Sequence, residues 1–242
     1  MNARDRLVFA LDVDRLDEAQ ILVKRLAQHV GMFKVGPRLF TNAGSLVFDL
    51  IHGMGSHVFL DLKFHDIPAA VAAAAREVAR QRIKMFTVHA MGGPKMIREV
   101  GRRLMETTLV PGNEPPICLG VTLLTSHTPE DVAELGFSRG VQDQVLHLAK
   151  LAVRAGAGGI VASGHEVEAL KATLPPSTVF VIPGIRRAGD ATGDQSRIMT
   201  AEAAIKAGAT YLVVGRPIRD ASDPVAEADA LVEEIERGLE QG

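Results

Sequence analysis

Two hydrophobic rhythms alternate along this chain. Short runs rich in Val, Ile, Leu and Phe are followed by longer stretches in which apolar residues recur every three or four positions. The first is the signature of a buried strand and the second that of an amphipathic helix. Strands are predicted over Leu7–Val13, Met32–Gly36, Val58–Phe64, Met85–Ala90, Ile117–Thr122, Gly159–Ser163, Thr178–Gly184 and Tyr211–Ile218. Helices are predicted over Asp17–His29, Ala69–Arg82, Lys95–Glu106, Val141–Ala155, His165–Ala172, Thr200–Ala207 and Asp223–Gly238. Gly31, Gly55, Gly156 and Gly208 punctuate helix-to-strand turns. Strand–helix alternation implies a parallel sheet, and eight cycles imply an α/β fold closed into a (β/α)8, or TIM, barrel. A doubly wound open sheet is the competing architecture. No linker or low-complexity tract divides residues 1–242, so a single barrel domain is expected.

Polar residues interrupt this pattern at the downstream ends of the strands, where barrels of this kind place their active sites. The most informative interruption is Val58-Phe-Leu-Asp-Leu-Lys-Phe-His-Asp-Ile-Pro68. Side chains two apart on a strand share a face, so Phe59, Asp61 and Lys63 point one way and Val58, Leu60 and Leu62 the other. A carboxylate and an ammonium at the end of a buried strand either pair or do chemistry. Asp12, Lys34, Thr125, Ser126, Gly184, Arg186, Gly215 and Arg216 fall at corresponding strand ends, so all converge on one mouth. From spacing alone, Asp66 reads equally as a cap for the helix near Pro68, and Lys63 as one half of a salt bridge. Tyr211-Leu-Val-Val-Gly-Arg-Pro-Ile218 offers a glycine amide and an arginine to an anion, or else an ordinary turn with a solvated arginine.

Composition narrows the partners. The chain has 242 residues, with 27 basic and 29 acidic side chains, no Trp and a single Tyr, and no polybasic block, which argues against a nucleic-acid reader. Its one cysteine, Cys118, allows neither an intrachain disulfide nor a cysteine-based metal cluster. His57, His65, His89 and His127 lack metal-type spacing, and His89 reads as a structural donor. No apolar run approaches the ~20 residues of a membrane helix. Met1-Asn-Ala-Arg-Asp-Arg enters the first strand without a signal-peptide core, so a soluble cytoplasmic protein is expected.

The string Asp61-Leu-Lys-Phe-His-Asp-Ile-Pro68 resembles the hallmark of the orotidine 5′-monophosphate decarboxylase family, Asp-x-Lys-x-x-Asp followed by Ile-Pro. Ala10-Leu-Asp12, Phe33-Lys-Val-Gly36, Ile182-Pro-Gly-Ile-Arg186 and Gly215-Arg-Pro-Ile218 agree with it in order and separation. The resemblance implies decarboxylation of orotidine 5′-monophosphate to uridine 5′-monophosphate, the last step of de novo pyrimidine synthesis, with neither metal nor organic cofactor. It implies that Lys63 stabilises charge at the reacting pyrimidine carbon and then protonates it, and that Asp61 faces the substrate's own carboxylate. Whether Asp61 acts by ground-state stress or as part of a preorganised field stays open. Lys34 would contact the ribose and orient the acids, and Asp12 would bind a ribose hydroxyl. Thr125 and Ser126 would read the base. Pro183, Arg186, Gly215 and Arg216 would line the phosphate end, with Gln195 bridging phosphate and pyrimidine from a lid. Asp66, with Ile67 beside it, would be supplied across a homodimer interface.

Two positions depart from that pattern. Ala70 stands where many relatives carry a threonine, which removes one hydroxyl near the ribose, and Thr87 stands where asparagine is frequent, read as a packing change. Two rivals remain. A metal-dependent sugar-phosphate decarboxylase or synthase of the same barrel group would carry an acidic metal ligand at the position of Lys34. A non-catalytic phosphate-ligand-binding barrel would have no need of Asp61, Lys63 and Asp66 together.

Overall fold

Alternation of side-chain direction along eight strands separates two apolar cores. In the computed structural model, which describes residues 1–107, 114–186 and 199–241, the strands are β1 (Leu7–Ala10), β2 (Met32–Val35), β3 (His57–Phe64), β4 (Met85–His89), β5 (Ile117–Val121), β6 (Gly159–Val161), β7 (Val179–Ile182) and β8 (Tyr211–Val214). Each pairs in parallel with its successor, and β8 closes on β1 with Leu7 opposite Leu212 and Phe9 opposite Val214. The sheet is a closed barrel, as the eight cycles implied; the open-sheet alternative is excluded.

The inner core holds Val8, Ala10, Met32, Phe59, Met85, Leu119, Val181, Tyr211 and Val213. The alternate residues Phe9, Phe33, Leu60, Phe86, Ile160 and Leu212 point outward and pack under the helices. Helices earn their places by matching stripes. Gly93–Thr107 buries Met96, Ile97, Val100 and Leu104, and Val141–Arg154 buries Val145, Leu148, Ala149 and Ala152, each set spaced to one face. Inside the barrel, a Cβ on Gly159 would lie 2.4 Å from the Val179 carbonyl oxygen and 2.8 Å from its Cβ, so only glycine fits between β5 and β7 there.

Several boundaries differ from expectation, mostly at the mouth. β1 stops at Ala10 rather than Val13 because the Asp12 amide turns back onto the Ala10 carbonyl at 2.9 Å. β8 stops at Val214, and Arg216–Arg219 forms a helical turn instead of continuing the strand to Ile218. Pro217 explains this: it has no N–H for a strand ladder but suits a first helical turn. The helix predicted over His165–Ala172 divides into a 3₁₀ turn, Gly164–Glu166, and Val167–Lys171. Short helices not predicted occupy Pro37–Ala43, Leu46–Gly53 and Pro129–Glu134. Among the described residues no helix is long and apolar enough to cross a membrane.

Candidate active site

The inward-facing residue changes character near the top of β1 to β4. Above Ala10 comes Asp12, above Met32 comes Lys34, above Phe59 come Asp61 and Lys63, and above Met85 comes Thr87. On this half of the barrel an apolar plug thus gives way to a polar and charged layer. These groups form a continuous chain of contacts. Lys34 Nζ lies 3.2 Å from Asp12 Oδ1 and 3.7 Å from Asp61 Oδ2, and Lys63 Nζ donates to Asp61 Oδ1 at 3.0 Å. The side chains of Lys34 and Asp61 are 13% and 14% exposed, whereas Lys63 is 35% exposed, so it is the ammonium that reaches into the opening.

Burial pushes the Asp61 carboxyl up, but the charges of Lys34 and Lys63 and hydrogen bonds from Lys63 and Thr87 outweigh it and hold the group below the ordinary carboxylate value. Asp61 is therefore ionised at neutral pH. Lys63 itself has φ +49°, in the left-handed region that non-glycine residues rarely occupy, and the β3–β4 register shifts between Leu60 and Phe64. Its backbone N–H donates to the Thr87 hydroxyl at 2.8 Å, and that hydroxyl donates to Asp61 Oδ1 at 2.9 Å. Asp12 is fixed from the other side, its carbonyl accepting from Arg219 at 2.9 Å. Thr87 and Arg219 are the members of the site that sequence reasoning missed. For Thr87 the signal was present: a hydroxyl on the inward face of a strand otherwise apolar at that face up to His89.

The charged layer lines one side of a cavity of about 500 Å³. Thr125, Ser126, Pro183, Arg186, Gly215 and Arg216 line the rest of its polar wall, and Val121, Leu123 and Val161 contribute an apolar one. The volume is within the range of small-molecule sites. Arg186 is buried and its guanidinium donates to the Ile185 carbonyl at 2.8 Å, which holds the cation at the rim. Gly215 closes against β1, where an added Cβ would sit 3.2 Å from Ala10 Cβ and 3.6 Å from Asp12 Oδ2. A ligand in this cavity would meet two carboxylates, two ammoniums and two guanidiniums.

Residues 5–231 match the model of the Orotidine 5'-phosphate decarboxylase / HUMPS family. The chain belongs to this family. It is 46% identical over all of its length to an orotidine 5'-phosphate decarboxylase of Syntrophotalea carbinolica, covering 99% of that protein. It is 42% identical to one from Trichlorobacter lovleyi, with 98% of each chain covered. Among solved structures, orotidine 5'-phosphate decarboxylase from Lactobacillus acidophilus superposes with a TM-score of 0.84 at 37% identity, covering 95% of this chain and 98% of that one.

Two residues assigned from the family motif do not join the cavity of the single chain. Asp66 and Ile67 are exposed and outside its lining, and Asp66 Oδ1 accepts from the Ile67 N–H at 2.6 Å. The helix Pro68–Arg80 receives no side-chain cap, so the capping alternative for Asp66 is not what forms. Gln195 lies outside the described residues. His89 Nδ1 accepts from the Met91 N–H at 3.4 Å, which puts the proton of the neutral ring on Nε2. Burial, then the neighbouring His65, Lys63 and His127, push its pKa down to about 4, so the ring is neutral at pH 7 and has a lone pair to offer. Its ring stacks on His65 with centroids 5.5 Å apart.

Proposed function

We propose that this chain decarboxylates orotidine 5′-monophosphate to uridine 5′-monophosphate, the final step of de novo pyrimidine nucleotide synthesis, in the cytoplasm and as one catalytic domain. The observation that carries the reading is the Asp12–Lys34–Asp61–Lys63 chain along the wall of a cavity that Arg186, Gly215 and Arg216 also line. The carbon–carbon bond to the carboxylate breaks, carbon dioxide leaves, and the electron pair remains on the pyrimidine carbon. Lys63 Nζ, standing at the opening, stabilises that charge and then donates its proton to the same carbon. Asp61 holds Lys63 in place and, ionised beside the leaving carboxylate, contributes to a field that favours the carbanion-like transition state. Lys34 and Asp12 bind the ribose. Thr125 and Ser126 read the base, and Pro183, Arg186, Gly215 and Arg216 receive the phosphate end with Gln195. Binding energy at that end acts on the chemical step.

No metal or organic cofactor enters this scheme. The space between Asp12 and Asp61, two carboxylates of the kind that share a divalent cation, is filled by the Lys34 ammonium, which disfavours the metal-dependent sugar-phosphate reading. Asp66 and Ile67, turned outward in the single chain, serve the site of a second copy, so the working form is a homodimer. The deciding experiment follows loss of the orotate chromophore in the presence of excess chelator. Turnover is expected, and Lys63→Ala should lower kcat by ~10²–10⁴-fold or more. Activity restored only by magnesium and a sugar phosphate would overturn the reading, and nucleotide binding without carbon dioxide release would make the barrel a binding protein.

A further inference from the structure

We propose that Thr87 is a positioning residue for this reaction, its hydroxyl locking the Asp61 carboxylate and the left-handed Lys63 backbone into one unit. Thr87 is fully buried on β4 and faces into the barrel. The direction of its hydrogen bonds follows from chemistry. The Lys63 N–H can only donate and an ionised Asp61 can only accept, so the hydroxyl must accept at 2.8 Å and donate at 2.9 Å. Where the β3–β4 register shifts, the Lys63 amide is satisfied by this side chain, and the Thr87 oxygen closes the gap that the shift opens.

Two consequences bear on catalysis. Asp61 Oδ1 receives both the Thr87 hydroxyl and Lys63 Nζ, which leaves Oδ2 toward Lys34 and prevents the carboxylate from rotating between its two cations. The same oxygen of Thr87 pins the backbone from which the Lys63 side chain departs, so the ammonium's starting point and its partner are set by one group. The identity of residue 87 is thus a matter of donor and acceptor geometry rather than of packing volume. Serine preserves both bonds; valine preserves shape and removes both.

The catalytic part of this inference rests on the decarboxylase reading, and the titration of Asp61 does not. The charged groups facing Asp61 are Lys34 and Lys63, with Asp12 beyond Lys34, and substitution at position 87 leaves all three in the chain. The test compares wild type, Thr87→Val and Thr87→Ser, with Thr87→Ala in reserve should valine prevent folding. Thr87→Val should lower kcat for orotidine 5′-monophosphate by ~10- to 100-fold, the effect of losing a buried hydrogen bond to a charged group. KM should move by less than about threefold, because the phosphate end is untouched. The Asp61 carboxyl, followed by ¹³C NMR in the free protein, should titrate at higher pH in Thr87→Val and at the wild-type position in Thr87→Ser. Wild-type kcat and an unmoved Asp61 titration in Thr87→Val would overturn the proposal, as would a serine variant as impaired as the valine one. A wild-type protein that releases no carbon dioxide would instead sink the decarboxylase reading, leaving the Asp61 titration to decide the local role of Thr87.

Discussion

Lys34→Met keeps the length and apolar stem of the side chain and removes its charge from between two carboxylates. The ammonium lies 3.7 Å from Asp61 Oδ2, where the direct attraction at an effective dielectric of ~20 is about 4 kcal/mol. Asp61 retains Lys63 and Thr87 as partners, and Asp12, with its side chain 47% exposed, is readily rehydrated. The net loss expected at pH 7 is therefore smaller, about 2–3 kcal/mol, between the values for exposed and buried pairs. In a chain of this size that lowers Tm by roughly 4–12 °C. The pH dependence has a definite sign. A carboxyl whose folded pKa is depressed, as that of Asp61 is from its ordinary 3.8, stabilises the fold above the unfolded value and loses that contribution as pH falls through the folded one. Without Lys34 the depression is smaller, so wild type and variant differ fully at pH 7 and converge on acidification below about 4. Urea unfolding at stepped pH measures this, and a double-mutant cycle with Asp61→Asn isolates the pair, with coupling of about 1–3 kcal/mol. A variant as stable as wild type at pH 7, or a loss that persists unchanged with Asp61→Asn in place, would refute the reasoning.

If Asp66 completes a neighbouring site, Lys63→Ala and Asp66→Ala proteins, each nearly inactive, should regain roughly a quarter of wild-type activity when mixed and refolded together, since half the dimers then hold one intact site. No recovery on mixing would place Asp66 outside the reaction or within its own chain's site. Gly159→Ala should destabilise the barrel by about 1–3 kcal/mol, because the new methyl meets the Val179 backbone rather than a movable side chain; chemical denaturation checks it, and an unchanged midpoint would mean that β6 and β7 yield more easily than their spacing implies.

The fold was legible because both of its periodicities are strong. Residues 7–10, 57–64 and 85–89 could be read as strands from composition, and their inward and outward faces assigned from alternation alone. What alternation cannot supply is the point at which the chain leaves the strand. Asp12 and Arg216 both follow such bends, fixed by a tight amide turn and by Pro217 respectively. The short helices Pro37–Ala43 and Leu46–Gly53 span too few turns to print a stripe. Within the site, charged residues at strand ends were visible because burying charge is costly and calls for a reason. Thr87 gave a weaker signal: its hydroxyl interrupts an apolar inward face, but a threonine suits any strand, and its link to the register shift is not encoded locally. Asp66 and Ile67 carry the family motif yet face outward, a distinction that a single chain's pattern does not contain.

The left-handed conformation of Lys63 sets a limit on how this barrel can be engineered. A glycine at that position would relieve a backbone penalty of about 1–2 kcal/mol, and an asparagine part of it. That gain is set against the 3.0 Å ion pair with the buried Asp61, so a criterion that weighs only backbone strain would remove the very ammonium that stands at the cavity opening and leave a carboxylate short of a partner. Libraries built to harden this scaffold should hold position 63 constant, and a consensus or stability score that flags it as a defect has found the place where conformational ease was given up for reach.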